Sequence, residues 1–261
     1  MMGITIVTAL LVLASLQSVQ KSETVTFKAS PAVHGFYDYY PKITAKICKP
    51  QGTGPFPAVV LIHGTQGISE HHQRWLEILS GWGYVALLVD SIEMRARLNP
   101  KLDPITITLE EFMQDAYDAK SYLCSLPYVN RQKIAVMGWE KGGWAILDEA
   151  RGEINVHSQG VPFQASVMIY PYCWGFLDVT KSPLLVLMGG KDRWCPPGRC
   201  AIAPERKGKH ELLLKVYEGA YHAFDVEGMD RIFRGHQLLY DNECAEDAVE
   251  RIKRFLRKYL R

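Results

Sequence analysis

Four short segments carry the side chains with the clearest chemical potential, and each follows an apolar run. Ile134 to Gly143 reads Ile-Ala-Val-Met-Gly-Trp-Glu-Lys-Gly-Gly: a strand, then Gly138-x-x-x-Gly142, then a helix. That is the form of a nucleophile elbow. A sharp turn lifts the central side chain above the C-terminal edge of a sheet, and glycines let strand and helix pass closely. The central residue is ordinarily Ser or Cys; here it is Glu140. Leu185 to Asp192 is a strand ending in an acid, and Val216 to His222 is a strand ending in a loop with a histidine. Nucleophile position, acid and histidine are the parts of an acyl-transfer triad, in which the acid orients the imidazole and the imidazole moves the proton. A fourth segment, His63-Gly64-Thr65-Gln66-Gly67, follows an earlier apolar strand. Such a loop offers one backbone N–H to a developing oxyanion, here that of Thr65 or Gln66; the residue after the nucleophile, Lys141, offers the other. A strand-end Asp often caps a helix and a lone His is usually structural. Four segments in the fitting order therefore specify a fold better than they specify an activity.

The elements that must position these side chains alternate along the chain. Early strands are expected at 24–29 and 43–48, and buried strands at 58–62, 84–89, 133–137, 166–170, 184–188 and 212–216. Helices are expected from a Ser69 cap to Leu79, from a Thr108 cap to Leu123, and near 142–151. A last amphipathic helix has the stripe Ala248, Val249, Ile252, Phe255, Leu256 and Tyr259. Continuous apolar strands separated by helices imply an α/β fold, a mainly parallel sheet with helices on both faces. No Pro/Gly/Ser-rich linker divides the chain, and 99–107 and 151–163 read as surface loops.

Composition bounds the function. The 261 residues are 48% hydrophobic and 22% charged, enough for one sizeable core, and no repeat of 20–50 residues is visible. Thirty Lys and Arg against 28 Asp and Glu leave a formal charge of +2, too small a surplus for nucleic acid as the main partner. The basic positions between Arg251 and Arg261 fit the solvated face of the last helix. The run Ile4–Leu16 is shorter than the ~20 residues of a membrane span and fits the core of a signal peptide. Residues 1–20 are therefore expected to be a signal peptide and 21–261 one domain, exported to a periplasm or the outside, with no stable membrane anchor. Six cysteines, at 48, 124, 173, 195, 200 and 244, are an even count that export would allow to pair; no Cys-x-x-Cys is present. His71 and His72, adjacent on a helix, should face apart, and His63 belongs to the oxyanion loop, so no metal is expected.

These segments together resemble the dienelactone hydrolase family of the α/β-hydrolase superfamily, in particular its exported, serine-type members. The resemblance runs over nearly all of 21–261. It rests on His63-Gly64, Gly83-Tyr84 to Asp90-Ser91, Met137-Gly138-Trp139, and Tyr170-Pro171-Tyr172-Cys173. It continues through Asp192-x-Trp194-x-Pro196, Gly219-Ala-Tyr-His-Ala-Phe224 and the stretch from Gly235 to Leu256. It implies ester or lactone hydrolysis without a cofactor, with Asp192 and His222 as acid and base. Arg95 falls where the family often has an arginine after the Asp-Ser strand end, contacting substrate or bracing the site. Trp139 and Trp144, flanking the elbow, are candidates for a pocket wall, Trp139 as a substrate-binding residue. In this fold Cys173 and Cys200 lie near neighbouring strand ends and are expected to form a disulfide, with Cys195 as the competing partner of Cys200.

The departure is Glu140, followed by Lys141. Carboxylate attack at an ester carbonyl gives a mixed anhydride, and the carboxylate is the better leaving group when the adduct collapses. Losing a triad nucleophile typically costs on the order of 10⁶ in turnover. The main expectation is still a hydrolase for small esters, lactones or related molecules with a Glu140–Asp192–His222 triad, Glu140 polarising water. One alternative is a ligand-binding protein on a hydrolase scaffold, with Glu140 in a salt bridge to His222. A second is a carboxylate nucleophile attacking carbon, as in epoxide or carbon–halogen hydrolysis, with His222 activating the water that cleaves the resulting ester. The partner is in each case a small molecule.

Overall fold

The computed structural model of the chain describes residues 21–30, 42–154, 162–174, 176–177, 180–202 and 208–261. The expected signal peptide, 1–20, lies outside the described residues. In chain order the strands are β1 (Glu23–Lys28), β2 (Lys42–Cys48), β3 (Phe56–Ile62), β4 (Val85–Asp90), β5 (Val129–Trp139), β6 (Ser166–Ile169), β7 (Phe176–Leu177), β8 (Leu184–Gly189), β9 (Ala201–Ile202), β10 (Leu212–Tyr217), β11 (Asp230–Phe233) and β12 (His236–Leu239). The helices are α1 (Glu70–Gly81), α2 (Glu93–Leu98), α3 (Leu109–Ser125), α4 (Lys141–Arg151) and α5 (Asn242–Leu260).

Eight strands form one sheet in the order β1-β2-β4-β3-β5-β6-β8-β10. β1 and β2 are antiparallel to their neighbours and the rest are parallel. This is the α/β-hydrolase arrangement expected from the sequence. Strand period divides the apolar runs between two faces. Val60, Ile62 and Val136 point to one side, where Phe112, Met113 and Ile146 of α3 and α4 cover them. Val59, Leu61 and Met137 point to the other, under Trp75 and Leu76 of α1 and Ile252, Phe255 and Leu256 of α5. Each such side chain, fully buried, stabilises the fold by roughly 1.5–3 kcal/mol.

Register decides where the chemistry sits. Ile62 is level with Val89 and Gly138, and Trp139 with Ile169. The loops after β3, β4, β5 and β6 therefore leave the sheet at one edge, as do those after β8 and β10, whose residues Met188 and Val216 are level. Caps fix the helix starts: Thr108 accepts from the Glu111 N–H (3.2 Å) while Glu111 accepts from the Thr108 N–H (2.8 Å). Among the described residues, α2, the short β7–β9 pair and the β11–β12 hairpin were not anticipated; α2 lies just before the segment read as loop, and the hairpin folds over the sheet edge. No helix among the described residues is long and apolar enough to cross a membrane.

Candidate active site

The elbow forms as the sequence implies. β5 ends at Trp139, and Glu140 has φ 47° and ψ −110° before α4 starts. A positive φ at a non-glycine residue costs on the order of 1–3 kcal/mol and survives only where surroundings enforce it. Here the Glu140 N–H donates to the Ile169 carbonyl (3.0 Å), and its carbonyl accepts from the Trp144 N–H (2.9 Å). The glycines are required by close approach. A Cβ on Gly138 would lie 2.7 Å from the Gly142 carbonyl carbon, and one on Gly142 would lie 2.6 Å from the Ile62 carbonyl oxygen.

The acid–base pair is complete. Asp192 Oδ2 and His222 Nδ1 are 2.7 Å apart, both buried. Asp192 Oδ1 accepts from the N–H groups of Trp194 and Cys195, both at 2.8 Å. The carboxylate thus cannot rotate, Nδ1 is the protonated nitrogen, and Nε2 is left as the basic one. The imidazole lies between Trp194, stacked at 5.2 Å, and Tyr170, at 4.5 Å. Asp192, Cys195 and His222 bring ligand-type atoms within 4.8 Å of one another. Burial pushes the Cys195 thiol up, and the facing Asp192 and His222 atoms already bond each other, so the donors suit an oriented acid–base pair better than a metal.

Glu140 does not pair with His222. Its Oε2 accepts from the Thr65 N–H (2.5 Å) and from the Thr65 hydroxyl (2.7 Å). The carboxylate therefore occupies the donor of the oxyanion loop, and the salt bridge to His222 that a binding scaffold would use is replaced by this contact. Gly64 makes room for it: a Cβ there would stand 2.4 Å from Oε2. Of the two loop amides proposed from sequence, Thr65 meets the carboxylate. Gln66 contributes its side chain, which accepts from Arg231. Lys141 heads α4, but its ammonium is buried and donates to the Ile105 carbonyl (2.6 Å), away from the elbow. His63 pins the loop. Its Nε2 accepts from the Ser91 N–H (3.1 Å), so Nδ1 carries the proton it shares with the Gly64 carbonyl (2.7 Å). Burial holds its pKa below the usual value, consistent with that neutral form.

A cavity of about 370 Å³ lies over this edge. Glu140, His222, Trp139 and Gln66 line it, with Met229, Arg231 and Leu238 contributed from around the β11–β12 hairpin. Trp139 is where the sequence reading put it. Trp144 instead packs on Tyr172 (4.9 Å). Arg95 is not on the cavity wall. It is buried, with bonds from its guanidinium to both Asp115 oxygens (2.5 and 3.1 Å) and to the Ser91 carbonyl (2.7 Å). Its position after β4 makes it a brace between that strand end and α3 rather than a substrate contact. His71 and His72 also depart from expectation: both rings pack on Trp139, at 5.6 and 4.9 Å, because the Trp is large enough to span adjacent helix positions. Cys173 and Cys200 form the expected disulfide, tying the loop after β6 to the loop beyond Asp192.

Sequence reasoning missed three groups. The Thr65 hydroxyl is one. Asp225 is another: it is buried and accepts from Trp139 Nε1 and the Tyr170 hydroxyl (both 2.9 Å), fixing two walls of the site. Its place three residues after His222 was the available clue. The third is Arg231, in the cavity lining on an unanticipated hairpin.

Comparison with known proteins agrees with this architecture. The model of the dienelactone hydrolase family matches residues 43–260. A protein of Saccharolobus solfataricus, provisionally described as a carboxymethylenebutenolidase, is 33% identical over 158 residues, 58% of this chain and 53% of its own length. This chain thus matches about half of that relative. A Synechocystis protein with the same description is 22% identical over 239 residues, 84% of this chain and 93% of its own. A Klebsiella pneumoniae crystal structure, provisionally described as a dienelactone hydrolase, superposes with a TM-score of 0.66 at 18% identity, covering 91% of this chain and all of its own. At that identity it shows the shared fold.

Proposed function

Because the chain belongs to the dienelactone hydrolase family and is a hydrolase of that family, we propose that it opens small lactones and esters in the 370 Å³ cavity. His222, oriented by Asp192, activates the water, and Glu140 stands at the elbow, where an acyl-transfer triad holds its nucleophile. The observation that carries this reading is the 2.7 Å Asp192–His222 bond, with His222 lining the cavity that Glu140 shares. An orienting acid has little structural purpose unless its histidine must present Nε2 to a reacting group. The relatives' description as carboxymethylenebutenolidases supports a lactone over an open-chain ester.

The cavity is small and sets apolar walls from Trp139, Met229 and Leu238 against polar groups, with Arg231 as the cation in its lining. It suits a compact substrate that is anionic or becomes anionic on opening. The test is a panel of lactones and p-nitrophenyl esters with the native protein, His222→Ala and Asp192→Asn. Turnover should fall by about 10⁴ in Asp192→Asn, the size of effect expected when an acid no longer fixes the histidine tautomer. Undiminished turnover in both variants, or no turnover of any panel member by native protein, contradicts the reading.

A further inference from the structure

The position of Glu140 narrows the reaction further, and this step rests on the hydrolase reading above. In a serine-type site the loop amide receives the substrate's carbonyl oxygen. Here Glu140 Oε2 already takes the Thr65 N–H and hydroxyl at 2.5 and 2.7 Å. A substrate carbonyl entering that place would meet a carboxylate oxygen instead of a donor, so acyl attack is poorly served. The same arrangement suits a different step. If Glu140 were esterified through Oε1, its own Cδ would be the carbon that water attacks. The negative charge would then develop on Oε2, the atom already seated on the donors.

We propose that Glu140 is a covalent nucleophile toward saturated carbon, and that the substrate class is the strained four-membered lactone. A carboxylate opens such a ring at the alkyl carbon, because that carbon is open to in-line attack and the leaving group is a carboxylate relieved of ring strain. Oε1 forms the new bond to the ring carbon bearing the ring oxygen. The ring C–O bond breaks, and its electron pair leaves as the substrate's carboxylate. Glu140 is now an alkyl ester. Water gives a proton to His222 Nε2 and adds to Cδ of Glu140. Collapse expels the alkoxide, which keeps the former Oε1 and takes the proton back from His222. Glu140 regains its carboxylate with one oxygen from water, and its remaining proton passes to solvent. The sum is lactone plus water giving a 3-hydroxy acid.

A second observation supplies a place for the leaving carboxylate. His72 lines the cavity, is buried, and accepts the Ser69 N–H at Nδ1 (3.1 Å), so Nε2 carries its proton. That Nε2 is buried without a hydrogen-bond partner among the described residues. An unpaired buried donor is costly, and an acceptor on the ligand removes that cost. Arg231, which also lines the cavity and donates to the Gln66 side chain, adds a cation for the leaving carboxylate.

The experiment is a single turnover of (R)-β-butyrolactone in ¹⁸O-water with enzyme in excess. The expected result is 3-hydroxybutyrate free of ¹⁸O and inverted at carbon, with one ¹⁸O in the peptide containing Glu140. Label in the product carboxylate with retained configuration means acyl attack, and label in the product hydroxyl means direct attack by water; either overturns the covalent step. Hydrolysis of other lactones or esters but not of this ring overturns the substrate class while leaving the hydrolase reading intact. Absence of all hydrolysis overturns both.

Discussion

Replacing Glu140 by serine should turn a poor esterase into a competent one. The elbow backbone does not depend on the side chain. Its φ of 47° is held by the Ile169 carbonyl and the Trp144 N–H, and by glycines whose Cβ atoms would collide with backbone. Serine therefore inherits the turn. Removing the carboxylate frees the Thr65 N–H and hydroxyl to receive a substrate oxyanion, and one such donor is worth about 10²–10³ in rate. The new hydroxyl can pass its proton to His222, already fixed by Asp192. The whole nucleophile is worth at most on the order of 10⁶. The gain in kcat/KM for p-nitrophenyl acetate should therefore exceed about 10²-fold, or roughly 2.7 kcal/mol of barrier, and stay below that ceiling because the cavity is shaped around a carboxylate. Thermal unfolding monitored alongside establishes that the variant is folded. A folded Glu140→Ser that gains no esterase activity would falsify the assignment of Thr65 as the oxyanion donor. Native protein faster on this ester than the variant would show that Glu140 acts at acyl carbon, against the reasoning above.

Two further outcomes concern stability. The Cys173–Cys200 bond closes a 27-residue separation, for which loop-closure entropy gives about 3.5 kcal/mol; the Cys173→Ser/Cys200→Ser protein should unfold at lower denaturant by that amount, and reductant should bring the native protein to the same midpoint. His72 is held near a pKa of about 3 chiefly by burial, with the neighbouring His71 and His63 rings further disfavouring a second positive charge there. Below the ordinary value of 6.5 the unfolded chain then binds a proton that the folded chain excludes. Stability should fall as pH drops from about 6.5 toward 3, with a slope approaching about 1.4 kcal/mol per unit from this group. His72→Gln should flatten that slope in urea titrations across the range; an unchanged slope would count against a neutral buried His72.

The parts legible in sequence were those fixed by local pattern. Apolar runs such as Ala58–Ile62 and Ile134–Met137 announced buried parallel strands. Gly138 and Gly142 announced the elbow, because only backbone crowding asks for glycine at both places. Asp192 and His222 could be placed because each ends such a run. What was not legible depended on where side chains turn in three dimensions. Glu140 had two reachable partners, His222 and the oxyanion loop, and spacing cannot choose between them; the Thr65 hydroxyl beside the Thr65 amide does. Arg95 was ambiguous for the same reason, since its partner Asp115 lies on α3 and nothing local links them. The β11–β12 hairpin was missed because its strands are four residues long and hydrophobicity does not track burial in them, Ile232 being exposed and Leu238 buried; it brings Arg231 to the cavity only through tertiary packing.

The most direct test of the account is whether Glu140 and His222 act in sequence on one substrate. If His222 serves only to deliver water to an ester on Glu140, His222→Ala should still be alkylated and then stall. Intact-protein and peptide mass spectrometry after exposure to (R)-β-butyrolactone should show one substrate mass added at Glu140 in His222→Ala, and none accumulating at steady state in native protein. Native turnover with no Glu140 adduct in His222→Ala, or an adduct that hydrolyses as fast as native turnover, would contradict it.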